Sequence, residues 1–219
     1  ILDNKLIDDI VIVDDDSDIK YFNRLRALVE IINNGKIILW RNDKNLGLLM
    51  NKYKAVRLAK NDWCIMLDSD NIIDNTYIET IDKLDKKPDM LYCPEKLYKL
   101  DKNGVNFDYT QFIGLVVNRN NVRKYIENKF FECWLNTGNY CFNRQKYLDV
   151  IEKNEIDMEL GTSDSVYFSY LWLLCGNKTM IVPGLNYVHR VHEGSWYKTN
   201  IKKCNNATVT IKKMIGSLT

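Results

Sequence analysis

The segment MLDSDN, residues 66–71, sets two carboxylates, Asp68 and Asp70, two positions apart at the end of a short apolar run. In an extended backbone residues i and i+2 point the same way, so the pair converges where the strand ends. Adjacent carboxylates repel unless a cation sits between them or one holds a proton. All-oxygen donors suit the hard ions Mg²⁺ and Mn²⁺. An acidic turn capping the next helix would use the same residues, and D-x-D is a common pattern by itself. A second cluster, Asp14, Asp15 and Asp16, follows IVIV in IVIVDDDSD, residues 10–18. One carboxylate there could accept the imide N–H of a nucleobase in a charge-assisted bond, while Ser17 or Asp18 caps the following helix. His189 and His192, the two histidines of the chain, flank Arg190 in an extended stretch. Their spacing puts them on opposite faces of a strand, so at most one could join a metal shell; either could equally be a surface or core histidine. Trp134, Trp172 and Trp196 offer flat faces on which a ligand could stack, although Trp172, inside SYLWLLC, fits a core better.

These residues need elements to hold them. DIVIVD (9–14), KIILW (36–40) and WCIMLD (63–68) have the apolar character of buried strands. Between them, Ile19, Phe22, Leu25, Leu28, Val29 and Ile32 recur at helical spacing, with Gly35 as a candidate C-cap. Further helices are expected over 47–60 and 75–85, the latter stopped before Pro88. Strands alternating with helices of this length indicate an α/β fold with a mainly parallel central sheet. Ligands of such sheets bind at the carboxyl edge, where both acidic clusters fall. The second half is less regular. Strands are expected from residue 89 and over 112–118, helices over 119–128, 144–153, 163–176 and 206–217, and extended chain in TMIVP and LNYVHRVH.

Composition limits the function classes. The chain has 219 residues, 46% hydrophobic, with 31 Lys+Arg against 29 Asp+Glu and a net charge of +2. That mixture fills a core and excludes disordered or low-complexity chains, and the near-neutral balance speaks against a nucleic-acid binder. Six scattered cysteines without a C-x-x-C pair fit reduced, mostly buried thiols. The apolar runs are far shorter than the ~20 residues of a membrane span, and no signal segment opens the chain. The expectation is a cytoplasmic protein with membrane-peripheral contact left open. The sequons at Asn177 and Asn206 are expected by chance in so Asn-rich a chain.

Several segments together resemble a family. IDDIVIVDDDSD, then NLGLLMNKYKAVRLAKNDW, then CIMLDSDNII are similar to the VDDGSTD, N-x-G-x-x-x-A-R-N and FLDSDD blocks of the inverting family 2 glycosyltransferases, built on the GT-A fold. NTGNYCFNRQKYL (136–148), ELGTSDSVYF (159–168) and YVHRVHEGSW (187–196) resemble later motifs of that family in the same order. The resemblance spans about residues 5–197. It implies a GT-A-like Rossmann-type α/β/α sandwich in a single domain over 1–219, with a nucleotide-sugar half at 1–95 and an acceptor half at 96–219. It also implies transfer of a sugar from a nucleotide-diphosphate donor, UDP-linked in many members, to a hydroxyl of a glycan, lipid or protein. Asp14, Asp15, Lys52, Asp68 and Ser69 would contact the nucleotide sugar. Asp70 and Asp68, joined by His189 or His192, would hold Mn²⁺ or Mg²⁺. Asp164 falls where the family places its catalytic base. Three departures stand out. Lys52 replaces an Arg, exchanging a bidentate fork for a point charge; Ser163 replaces the Glu before the base; and the family's opening strand has no counterpart ahead of residue 5. That abrupt start makes flanking domains an expectation. A Mg²⁺-dependent receiver domain of the response-regulator type is the competing reading, since the spacing from Asp15 to Asp68 imitates that from its acidic pair to its phosphoacceptor. An inactive sugar-nucleotide-binding scaffold is a third.

Overall fold

The computed structural model describes residues 1–100, 104–190 and 196–218. The chain opens with strand β1 (Ile10–Asp14), helix α1 (Ile19–Ile32), strand β2 (Ile37–Arg41) and helix α2 (Leu48–Leu58). Strand β3 (Trp63–Ile65), helix α3 (Asn75–Asp82) and strands β4 (Met90–Tyr98), β5 (Val105–Asp108) and β6 (Val116–Val117) follow. Helix α4 (Lys129–Leu135), strand β7 (Cys141–Asn143), helices α5 (Arg144–Glu152) and α6 (Asp164–Leu174), and strand β8 (Lys178–Val188) come next. Helices α7 (Trp196–Thr199) and α8 (Ile201–Gly216) close the described chain.

The strands form two sheets. β1 and β2 pair in parallel, Ile10 opposite Ile37 through Asp14 opposite Arg41. The larger sheet runs β3-β7-β4-β8-β6, with β5 on the free part of β4. Among the described residues parallel pairing is confined to β1–β2 and β4–β8, and the other ladders are antiparallel. The α/β architecture therefore carries a mixed sheet, in which first-half strands β3 and β4 pair with second-half strands β7 and β8.

Local chemistry explains the element ends. Asp18 caps α1 by accepting the Lys20 N–H. Helix α1 stops at Asn33, in the left-handed region at φ 45, not at Gly35; a short polar side chain tolerates that conformation. The helix expected over 119–128 is reduced to a 3₁₀ turn, Val122–Lys124. Its asparagines satisfy nearby backbone instead: Asn121 accepts from the Asn118 N–H and donates to the Val116 carbonyl, and Asn118 accepts from the Asn120 N–H. The strand expected over 112–118 is confined to Val116–Val117, since Phe112 closes a 3₁₀ turn that begins at Thr110.

The core lies around the larger sheet. Helix α6 is apolar on nearly every side and buries eight residues, including Phe168 and Trp172. Tyr140, Phe168 and Tyr147 stack face to face, with centroids 5.5 and 4.4 Å apart. Phe112, Phe131 and Trp134 form a second aromatic cluster, burying Trp134 to 1% exposure. Trp134 is thus a core residue and offers no face to a sugar. Trp172 is core as well, its Nε1–H donating to the Lys178 carbonyl at 2.7 Å. The Trp196 side chain lies outside the described residues. Among the described residues no helix is long and apolar enough to cross a membrane.

Candidate functional site

Asp68 follows β3 in a segment that continues the sheet: the Met66 N–H bonds the Tyr140 carbonyl at 2.9 Å, and the Asp68 N–H donates to Asn139 Oδ1 at 2.8 Å. Ser69 and Asp70 form the turn beyond it, with Ser69 exposed. The chain then returns to the sheet through Ile72, which exchanges both backbone bonds with Val188 of β8. That bridge brings the acidic turn beside His189. Gly138 passes so close to the turn that a Cβ there would lie 2.8 Å from Asp68 Oδ2 and 3.0 Å from Ser165 Oγ. A side chain there would push the Asp68 carboxylate and the Ser165 hydroxyl out of their places.

Lys52 of α2 joins this turn to the start of α6. Its Nζ lies 2.7 Å from Asp68 Oδ1 and 2.7 Å from Asp164 Oδ2, with the Lys52 side chain only 17% exposed. Burial disfavours its charge, yet the Asp164 and Asp68 carboxylates outweigh that and hold the ammonium well above its ordinary value. Lys52 is therefore a permanent cation fixed between two acids. Asp164, the first residue of α6, also meets the positive end of its helix.

The other acidic loop is built differently. Asp15 accepts from the Leu46 N–H (2.8 Å), the Gly47 N–H (2.9 Å) and Asn42 Nδ2 (2.9 Å). Gly47, at φ +81, makes the left-handed turn that starts α2 and aims its N–H at Asp15. Asp14 is turned inward, 8% exposed, against Arg41 at 3.3 Å, and accepts from the Ser17 N–H. Arg41 reaches on to Asp16 and the Ser17 carbonyl, and Asp16 sits at φ 60. Much of the hydrogen-bonding capacity of Asp14 and Asp15 thus shapes the loop itself.

Adjacent residues of α2 connect the two loops. Asn51 accepts from buried Asn42, the same amide that bonds Asp15, and donates to the Val13 carbonyl. The next residue, Lys52, holds Asp68 and Asp164. Sequence reasoning missed Asn42, Asn51, Asn71, Gly138 and Asn139. Asn139 is fully enclosed, and its place in the NTGN run was the one available signal. His192 falls outside the described residues.

Asp70, Asp68 and His189 fit a hard divalent ion by donor type. Among the described residues no three His, Cys, Asp or Glu side chains close into one cluster. Mg²⁺ in particular ordinarily takes one or two carboxylates from the protein and its remaining oxygens from phosphate and water. Burial lowers the basicity of His189, against the opposing pull of Asp70 and Asp68, which favours the neutral imidazole a metal needs.

With this geometry in hand, comparison with known proteins identifies the class. The fold is that of the GT-A glycosyltransferases. S. aureus TarS, residues 1–349, superposes with a TM-score of 0.64 at 15% identity, over 99% of this chain and 58% of that one. GalNAc-T7, in a structure with UDP, GalNAc and Mn²⁺, gives 0.56 at 16% identity, over 86% and 39%. The mannosyltransferase PcManGT from Pyrobaculum calidifontis, with GDP-Man and Mn²⁺, gives 0.58 at 13% identity, over 96% and 60%. The chain spans about three fifths or less of these proteins. No curated protein sequence matches it. The glycosyl transferase family 2 profile matches residues 1–152, and the chain belongs to that family. Family and fold together set aside the receiver-domain reading.

Proposed function

We propose that this chain is the donor-binding and catalytic part of a metal-dependent, inverting glycosyltransferase, which moves a sugar from a UDP-linked donor to a hydroxyl acceptor. One observation carries the reading: Lys52 bridges Asp68 and Asp164 at 2.7 Å each, uniting the acidic turn and the candidate base in one site. The family match supports it, as do neighbours whose structures hold Mn²⁺ with UDP or GDP-Man, and TarS in complex with UDP.

In this reading Asp15 keeps one of a carboxylate's roughly four acceptor positions for an imide N–H, in a loop whose shape Asp14 maintains. Asp68 and Ser69 lie on the nucleotide side of the turn. Asp70, with Asp68 and His189, would hold Mn²⁺ or Mg²⁺, which supplies positive charge for the leaving diphosphate. Lys52 adds a fixed cation beside it. Asp164 takes the proton of the acceptor hydroxyl as that oxygen attacks the anomeric carbon; attack from the face opposite the diphosphate inverts the configuration. The acceptor is a hydroxyl of a glycan, lipid or protein.

The test is a panel of UDP-sugars and GDP-mannose with Mn²⁺, scored by thermal shift and by nucleoside diphosphate release. Asp164→Asn should retain the Mn²⁺-dependent thermal shift while release falls by roughly 10²–10⁴-fold. Unchanged release would remove Asp164 from the role of base. Nucleotide binding without release by the unsubstituted chain, across the panel and a range of hydroxyl acceptors, would favour the inactive scaffold.

A further inference from the structure

Asn71, the residue after the acidic turn, is 7% exposed and lies between that turn and β8. Its Oδ1 accepts from the Arg190 N–H at 3.2 Å, and its Nδ2 donates to Asp68 Oδ2 at 3.4 Å. A backbone N–H can only donate and a carboxylate can only accept, so two independent partners fix which end of the amide is oxygen. That same Oδ1 sits 3.1 Å from Nδ1 of His189. Facing an oxygen that only accepts, Nδ1 must carry the ring proton, and Nε2 is left with its lone pair.

The ring is also held in place. The His189 N–H donates to the Tyr98 carbonyl at 2.8 Å, and the backbone on either side is tied to Ile72 and Asn71. Tyr187 meets the imidazole edge to face, at a centroid distance of 6.3 Å. Asp70 and Asp68 lie close enough to act on its charge.

We propose that Asn71 is a positioning residue: it locks His189 in the Nδ1–H tautomer and so presents Nε2, unprotonated, as a nitrogen donor beside the acidic turn. The purpose rests on the divalent-ion reading above; the tautomer does not. Metal-bound histidines generally donate their other ring N–H to such an oxygen, which fixes ring orientation. Asparagine is suited to this position because it faces both ways, accepting from His189 and Arg190 while donating to Asp68. Aspartate, present in the FLDSDD pattern the turn resembles, could accept both bonds but would repel Asp68.

The experiment is long-range ¹H–¹⁵N NMR of the metal-free, ¹⁵N-labelled chain at pH 8. His192→Gln serves as the assignment control, leaving His189 as the one imidazole. The expected spectrum shows protonated Nδ1 and bare Nε2. Asn71→Asp should preserve that pattern, whereas Asn71→Leu should give mixed tautomers and weaken Mn²⁺ binding, read by electron paramagnetic resonance, by roughly 10–100-fold. An Nε2–H tautomer in the unsubstituted protein overturns the proposal, whether or not the Leu variant folds. So does an Asn71→Leu protein that keeps both tautomer and Mn²⁺ affinity. The Nδ1–H tautomer in a protein that does not bind Mn²⁺ would sink the metal reading while leaving the hold of Asn71 on the ring established.

Discussion

In the N-terminal layer, helix α1 buries none of its side chains and Ile31 stands 80% exposed, whereas around the larger sheet Phe142, Trp172 and Ile181 are fully enclosed. β1 is only half-buried along its whole length. The loop that β1 delivers is fixed by polar contacts instead: Arg41 on Asp14, Asp16 and the Ser17 carbonyl, and Asp15 on the 42–47 turn. The Asp68 turn grows from a strand paired into the aromatic core and returns to that sheet at Ile72. One half of the candidate site is therefore shaped by hydrogen bonds and ion pairs, and the other by packing. Helix α2 links the two, through Asn51 on one side and Lys52 on the other.

The largest effect should come from cutting that link. Lys52→Met would leave Asp68 and Asp164 facing each other without a cation, and removing one partner of a largely buried ionic group costs about 3 kcal/mol. Urea unfolding should show the midpoint falling with little change in slope. In the unsubstituted protein the Lys52 contribution is complete below its unfolded value of about 10.4 and fades only as pH rises through the still higher folded one. The deficit of the variant should therefore not shrink because of Lys52 anywhere between pH 6 and 9. A loss under about 0.5 kcal/mol would mean that packing alone joins the layers.

A smaller effect is expected at Gly138, where the packed half of the site meets the acidic turn. The added methyl of Gly138→Ala would approach Asp68 Oδ2 at 2.8 Å. A carboxylate tip can give way more easily than backbone, so the stability cost should sit near the low end of overpacking, about 1 kcal/mol. Its displacement should be felt more strongly at the site. If Asp68 belongs to the metal and nucleotide shell, UDP–Mn²⁺ protection in a thermal-shift assay should weaken by more than the stability loss accounts for. Full protection would separate Asp68 from ligand binding.

Much of this was legible in the residues because the signals were local. The alternation of β1, α1, β2, α2 and β3 followed from apolar runs and helical spacing, and the acidic clusters fell at strand ends as the pattern required. Asp68 and Asp164, far apart in sequence, could be associated only through the family resemblance; no local spacing predicts that Lys52 would bridge them. The amides were illegible for a related reason. Asn42, Asn51, Asn71 and Asn139 act through partners distant in the chain, and in so Asn-rich a sequence their type carries no signal. Residues 119–128 misled because asparagine side chains bonded nearby backbone and displaced the expected helix.

Helix α1 is where pattern and packing diverge most, and there the smallest effect is expected. Its apolar stripe predicts a buried face, yet Phe22, Leu25 and Val29 are only half-buried, while Ile19, Leu28, Ile31 and Ile32 are exposed. A side chain already in water gives up little burial when it is replaced, and isoleucine and serine have similar helix propensities. Ile31→Ser should therefore leave the urea midpoint unchanged to within about 0.5 kcal/mol. The comparison matters because the same substitution at enclosed Ile181 would remove a full core side chain. A loss at Ile31 above about 1 kcal/mol would show that in solution this face is covered, and that the N-terminal layer depends on apolar contact after all.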